Sequence, residues 1–329
     1  MRAIKNSLYA LLLLTSTLLF AGKQPAYLFA HGLYNDYSLA YYYQDLNKNY
    51  VCHHIDQELH ITYKSGTKHC WQLQDTKDAA LWLIQQPLHT FNFPDATRKG
   101  FDGSQTSLGQ ENEIRTLTNA YEKAKHTHDI VLMGMSRGAS TILNFLGTQN
   151  PTNVAAAVVE SPFDSITNTL ENFCKVAGVS WLMPLGVLYA SPNLFFSKFN
   201  PKGFFPIKVA HKIQKDLPIL IIASLEDALI PALSTAAIYS KLVDTQHSHV
   251  YFLLLEKGAH GYLLEHDDAH IYLNTVHAFY KKYDLPCNET LAAHGAAILD
   301  QCQPSSQTII DAIKQKKTFI KHQDPTILA

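Results

Sequence analysis

The sequence predicts an α/β fold, a mostly parallel β-sheet with helices on both faces. Three observations predict it. Short, nearly continuous apolar runs rich in β-branched residues recur along the chain, as in strands buried on both faces. Helix-period stretches separate them, which is the alternation that parallel crossovers require. The 329 residues, 47% hydrophobic and 17% charged, suffice for a large domain with a substantial core.

The chain opens with Arg2 and Lys5, then an apolar run from Leu8 to Phe20 broken only by Thr15, Ser16 and Thr17. Ala21 and Gly22 follow, then polar Lys23 and Gln24. Basic, apolar and small-residue regions in this order form a secretory signal peptide. The run is shorter than the roughly 20 apolar residues of a transmembrane helix. Residues 1–22 are expected to be a cleaved signal, and the mature protein to be exported, periplasmic or secreted. An uncleaved anchor, and with it membrane association, is the alternative.

Export changes the meaning of the five cysteines. Cys52 and Cys70 flank a hairpin-like segment, Tyr50 to Trp71, with a Ser65-Gly66 turn signal. Cys287 and Cys302 flank a helical segment near the C-terminus. Two local disulfides, Cys52–Cys70 and Cys287–Cys302, fit an oxidising compartment and leave Cys174 over. No Cys-x-x-Cys or Cys/His cluster has metal-ligand spacing, so neither a metal nor a cofactor is expected. A formal net charge of -1 gives no clustered basic footprint for a nucleic acid.

The predicted strands are Ala26 to Ala30, His89 to Phe93, Asp129 to Met135, Val154 to Glu160, Leu217 to Ser224 and His249 to Glu256. An amphipathic helix is predicted between Leu108 and Lys125, with Ile114, Leu117 and Tyr121 inward. Further helices are expected over Ala139 to Leu146, Ala232 to Val243 and Ala269 to Tyr283. Residues 162–215 are too long for a single crossover and rich in aromatics, among them Phe163, Phe173, Trp181, Phe199 and Phe205. They read as a helical cap inserted over the sheet's carboxyl edge, where open α/β sheets bind ligands. The domain then runs over 23–285. A tail, 286–329, carries two short helices, Glu289 to Leu299 and Thr308 to Lys316.

Gly134-Met135-Ser136-Arg137-Gly138 follows an apolar strand and opens a helix. In that context Gly134 and Gly138 permit a sharp turn that strains Ser136 and exposes its hydroxyl as a nucleophile. The alternative reading of the same strand-to-helix turn is an N-capping serine. A serine needs a base, and the base needs an acid to hold its tautomer. Asp227 follows the strand ending at Ser224, and its short side chain suits a tight turn better than that of Glu226. His260 follows the next strand, in Lys257-Gly258-Ala259-His260-Gly261-Tyr262. His266 and His270 compete with it but are expected in the following helix. His126 and His128 fall at the far end of the nucleophile strand. The backbone N–H of Arg137 and that of Leu33, in His31-Gly32-Leu33-Tyr34, are the expected oxyanion donors.

Together these residues resemble the α/β-hydrolase superfamily from His31 to His260. The nearest branch is that of prolyl-oligopeptidase catalytic domains and related small serine hydrolases. The matching residues are Gly134-Met135-Ser136-Arg137-Gly138-Ala139, Leu217-Pro218-Ile219-Leu220-Ile221-Ile222 with Asp227 and Pro231, and Gly258-Ala259-His260-Gly261. The resemblance implies an eight-stranded sheet, a Ser136–Asp227–His260 triad and an acyl-enzyme. Residues 47–80 and the tail match no pattern of the family, and no β-propeller is expected ahead of the catalytic part, which stands against the gated oligopeptidase action of the long family members.

The first functional expectation is an exported carboxylic-ester hydrolase acting on a small-molecule acyl substrate. The second is a serine peptidase acting on short peptides. The third is a non-catalytic hydrolase-like binding protein, against which the intact serine, acid and histidine order stands.

Overall fold

The apolar runs form a sheet whose two faces are both covered. A computed structural model describes residues 23, 25–33, 51–55, 58–62, 68–72, 88–97, 100–166, 168–169, 172, 198–200, 202–266 and 268–321. The expected signal segment, 1–22, and the middle of the expected cap, 173–197, lie outside them. The strands are β1 (Pro25–Ala30), β2 (Val51–Ile55), β3 (Glu58–Thr62), β4 (Lys68–Gln72), β5 (Leu88–Thr90), β6 (Ala96–Thr97), β7 (Gly100–Phe101), β8 (Asp129–Met135), β9 (Val154–Glu160), β10 (Ile219–Ser224) and β11 (Val250–Leu255). The helices are α1 (Glu111–Ala124), α2 (Arg137–Gln149), α3 (Pro206–Val209), α4 (Ala232–Asp244), α5 (Ala269–Lys282), α6 (Glu289–Gln301) and α7 (Ser306–Lys314).

The main sheet has the order β11-β10-β9-β8-β1-β5, and every neighbouring pair is parallel. Six strands are thus described, against the eight that the family resemblance implies. Residues alternate between faces along each strand. Val131 and Met133 of β8, with Leu220 and Ile222 of β10, pack under Ile271, Tyr272, Val276 and Phe279 of α5. Ile130 and Leu132, with Ile219 and Ile221, face Leu117 of α1, Ile142 and Phe145 of α2 and Tyr239 of α4. Burial on both faces accounts for the unbroken apolar runs.

The strand expected over His89 to Phe93 pairs with β1 only as far as Thr90. Beyond it the Phe93 N–H turns to donate to His31 Nε2 at 3.0 Å, so a side chain replaces the ladder. Within the expected hairpin, β2, β3 and β4 form a three-stranded antiparallel sheet.

Both expected disulfides are corrected. Cys52 pairs with Ile61 of β3, and Cys70 with His60 of the same strand. The two cysteines thus sit on the outer strands, about 9.6 Å apart across two strand spacings, beyond the roughly 7 Å a disulfide allows between Cα atoms. Cys287 and Cys302 are free thiols. The 13-residue helix α6 stands between them and separates its ends by about 20 Å at 1.5 Å per residue.

The tail closes the sheet. The Phe252 N–H on the outer side of β11 donates to the Cys302 carbonyl at 2.6 Å. Gln303 reaches the Val250 carbonyl at 3.2 Å and Thr318 the Leu254 carbonyl at 2.6 Å. An otherwise unpaired edge, a template for association with other chains, is covered in this way. Among the described residues no helix is long and apolar enough to cross a membrane.

Candidate active site

Because every strand of the main sheet runs the same way, the loops after β1, β8, β10 and β11 all emerge at one edge. Those loops carry Leu33, Ser136, Asp227 and His260. Register aligns them: Ala30 pairs with Gly134, Met135 with Glu160, Ile222 with Glu160 and Ser224 with Leu255.

Ser136 adopts φ 55 and ψ -118, a conformation that strains a residue with a side chain. Its N–H donates to the Glu160 carbonyl at 2.7 Å, and its carbonyl accepts from the Ser140 N–H at 3.0 Å. Close packing imposes the glycine that follows. A Cβ on Gly138 would lie 2.0 Å from the Ala30 carbonyl oxygen and 2.7 Å from that of His31. The start of α2 therefore rests directly on the loop after β1.

Ser136 Oγ lies 2.9 Å from His260 Nε2. His260 Nδ1 lies 2.8 Å from Asp227 Oδ2. Asp227 Oδ1 accepts the N–H groups of Leu229, at 3.0 Å, and Ile230, at 2.8 Å. Both carboxylate oxygens are thereby engaged, and the acid loop is folded around its own side chain, as in an Asx turn. An ionised Asp227 draws the imidazole proton to Nδ1, which leaves Nε2 as the acceptor for the serine hydroxyl. Asp227 is buried, whereas the His260 side chain keeps 14% exposure. Of the three, His260 is the most open to solvent.

Two further contacts hold the histidine loop. Glu226 takes the Lys257 ammonium at 2.9 Å and the Gly258 N–H at 3.2 Å, which ties the acid loop to the histidine loop. Lys257 beside it holds the Glu226 carboxyl below the usual carboxylate range. Asp268 Oδ2 accepts the N–H groups of Glu256 and Lys257 at 2.8 and 2.9 Å. His266 follows a 3-10 turn, Leu263–Glu265, and precedes α5. This corrects the expectation that it falls in the helix. Its Nε2 accepts the Ala259 N–H at 3.4 Å, so it braces the loop from behind. His270 sits in the first turn of α5. His126 and His128 precede β8, at the opposite end from Ser136.

The side chain of Arg137 went unread in the sequence, where only its backbone was assigned a part. It is 1% exposed. Nη1 meets Asp95 Oδ2 at 2.5 Å, Thr106 Oγ1 at 3.1 Å and Glu113 Oε1 at 3.4 Å. Nη2 donates to the Gly32 carbonyl at 3.1 Å, and the guanidinium lies 4.6 Å over the Phe93 ring. A signal was present in the sequence. A cation in the first turn of a helix opposes the helix dipole and needs partners from elsewhere.

Leu33, half-buried, packs with Leu229 against an apolar cluster of Leu108, Phe163, Ile166, Phe199, Phe205 and Ile230. Phe163, Phe199 and Phe205 come from the described ends of the 162–215 insertion. The Asn172 side chain donates to the carbonyls of Ala228 and Leu229, which ties the insertion to the acid loop. Among the described residues no group of three or more His, Cys, Asp or Glu side chains is arranged to hold a metal ion.

No protein-family model and no curated protein sequence matches the chain. Solved structures do. An esterase from Pyrococcus furiosus aligns at 15% identity over 80% of this chain and 83% of its own, with a TM-score of 0.49. An acylaminoacyl peptidase from Pyrococcus horikoshii aligns at 15% identity over 80% of this chain and 37% of its own, with a TM-score of 0.44.

Proposed function

We propose that the protein is a serine hydrolase that cleaves a carboxylic ester through an acyl-enzyme. One observation carries the reading: the continuous chain of hydrogen bonds from Ser136 Oγ through the His260 ring to Asp227, at 2.9 and 2.8 Å. Each member comes from a different loop, so nothing in local chain geometry obliges the three to meet.

In this reading Ser136 Oγ attacks the substrate carbonyl while His260 Nε2 takes its proton. The imidazolium that forms faces Asp227, which stabilises it and keeps the ring oriented. The tetrahedral oxyanion is held by the N–H groups of Arg137 and Leu33. His260 then returns its proton to the leaving oxygen, and the ester of Ser136 remains. Water attacks that ester with His260 again as base, releasing the acid and restoring the serine. The apolar cluster beside Leu33 supports an acyl group of hydrocarbon character, with the aromatic insertion as its cap. Export through residues 1–22 is part of the proposal and rests on their residue pattern alone.

The test is covalent labelling with a fluorophosphonate, followed by a panel of p-nitrophenyl esters and aminoacyl amides. The wild type is expected to label and Ser136→Ala to stay blank, with short-chain esters turned over and amides left intact. Amide cleavage without ester cleavage would move the assignment to a peptidase. A folded wild type that never labels would leave a non-catalytic binding protein.

A further inference from the structure

The Arg137 side chain joins the Gly32 carbonyl to a buried cluster of Asp95, Thr106 and Glu113 and is no member of the Ser136–His260–Asp227 chain. We propose that Arg137 is the positioning residue of the oxyanion hole, supplying one donor from its backbone and aiming the other with its side chain. The inference rests on the serine-hydrolase reading above.

The Gly32 carbonyl receives two donors. Arg137 Nη2 reaches it at 3.1 Å and His31 Nδ1 at 2.9 Å. The histidine tautomer follows from its other nitrogen: Nε2 accepts the Phe93 N–H at 3.0 Å, so the proton of the neutral ring sits on Nδ1 and faces Gly32. Across a planar trans peptide the carbonyl and the next N–H point in opposite directions. Pinning the Gly32 carbonyl onto the buried guanidinium therefore turns the Leu33 N–H the other way, out of the core. A peptide free to rotate would lose that donor.

The guanidinium is itself held from several sides. Asp95 and Thr106 fix Nη1, and the Thr106 hydroxyl donates a hydrogen bond to Glu113 Oε1 at 2.5 Å. Glu113 also accepts the Ser107 N–H on both oxygens at 3.0 Å and takes the Ser107 hydroxyl. Phe93 covers the flat face. Asp95, Thr106, Ser107 and Glu113 are all at most 1% exposed, so little water competes for these bonds. A planar fork spans carboxylate and carbonyl together, and a lysine ammonium is a point charge that serves one of them. Transition-state charge is best met by donors already fixed in place. An arginine adjoining the nucleophile and reaching under the second donor provides such fixing from one residue.

The experiment compares Arg137→Lys with wild type on a p-nitrophenyl ester that the wild type turns over. Lysine keeps the positive charge beside Asp95 and Glu113 and gives up the second arm to Gly32. The expected result is a folded protein with kcat lower by about 10- to 100-fold and KM nearly unchanged, since losing one oxyanion donor outright gives roughly 100- to 1000-fold. Fluorophosphonate labelling is expected to slow by a similar factor, because the phosphonyl oxygen uses the same donors. A folded Arg137→Lys with wild-type kcat, or with its loss in KM alone, overturns the inference. If Arg137→Lys fails to fold, Asp95→Asn decides: it keeps the shape and loosens the anchor of Nη1. A folded Asp95→Asn is expected to lose kcat with KM held, and one with full kcat overturns the inference. Wild-type turnover that disappears in Ser136→Ala upholds the hydrolase reading in either case. Wild-type protein that neither labels nor turns over the ester defeats that reading, and the inference with it.

Discussion

His277 makes the stability of this fold depend on pH between about 4 and 6.5. The ring is fully buried on α5, and burial pushes its pKa down to about 4. Nδ1 accepts the N–H of Asn288 at 3.0 Å. Asn288 is the residue whose side chain caps α6 by accepting the Leu291 N–H at 3.1 Å. Protonation has to occur on that same Nδ1, which would set a donor against a donor and charge a ring that has lost its water. The native state therefore resists a proton that the unfolded chain takes up near pH 6.5. Since the unfolded state binds more protons in this window, stability rises with pH across it. The contribution is fully present above about pH 6.5 and is lost as pH falls toward 4. The separation corresponds to about 3 kcal/mol in total, with about 1 kcal/mol already lost at pH 5.5. Urea denaturation followed by tryptophan fluorescence at pH 7.5 and 5.5 measures it. The comparison is with His277→Asn, whose side-chain oxygen keeps an acceptor for Asn288 and does not titrate. Carboxylates act alike in both proteins, so the wild type is expected to lose about 1 kcal/mol more than the variant. Equal losses at an unchanged m-value would refute the argument.

Other outcomes follow from the active-site loops. Gly138→Ala puts a Cβ 2.0 Å from the Ala30 carbonyl oxygen and forces that carbonyl back by about 1 Å; displacement on that scale predicts a kcat about 100-fold lower and a lower melting temperature, and near wild-type values of both would contradict the packing argument. Glu226→Gln removes the charge that clamps Lys257 and weakens acceptance of the Gly258 N–H. Because the pair is exposed, the melting temperature is expected to hold while kcat falls several-fold, and an unchanged kcat would show that Asp268 and His266 alone position the histidine loop.

Much of this architecture was legible because burial leaves a simple mark. Strands covered on both faces must be apolar throughout, and β8, β9, β10 and β11 were found within two residues of their ends for that reason. The order of Ser136, Asp227 and His260 was readable because each follows such a strand. Where reading failed, local helix geometry and contacts distant in sequence had decided the outcome. Spacing around Cys287 and Cys302 suggested a bridge, but the residues between them coil into a helix that drives its ends apart. His266 looked helical until Leu263–Glu265 formed a separate turn. Strand β5 stops at Thr90 because a histidine 62 positions earlier claims the Phe93 N–H. The tail carried no motif, and it covers β11 through one backbone carbonyl, that of Cys302, and the side chains of Gln303 and Thr318, residue types too common to mark such a role.

The elbow joins the stability of the fold to the chemistry proposed for it. Ser136 at φ 55 stores strain that the surrounding structure must hold. Restraint comes from the Glu160 carbonyl on one side and from Gly138 packed against Ala30 on the other. The next residue places a buried cation between Asp95 and Glu113. Buried ion pairs seldom add stability over a well-packed apolar core, yet removal of one partner is strongly destabilising. An apolar side chain at 137 would thus have been the simpler way to build a stable turn. Only a planar donor buried at that point reaches both the carboxylates and the Gly32 carbonyl. The expense of burying the charge is therefore best explained by what it aligns, the peptide between Gly32 and Leu33, so the residue that follows the strained serine also orders the loop after β1.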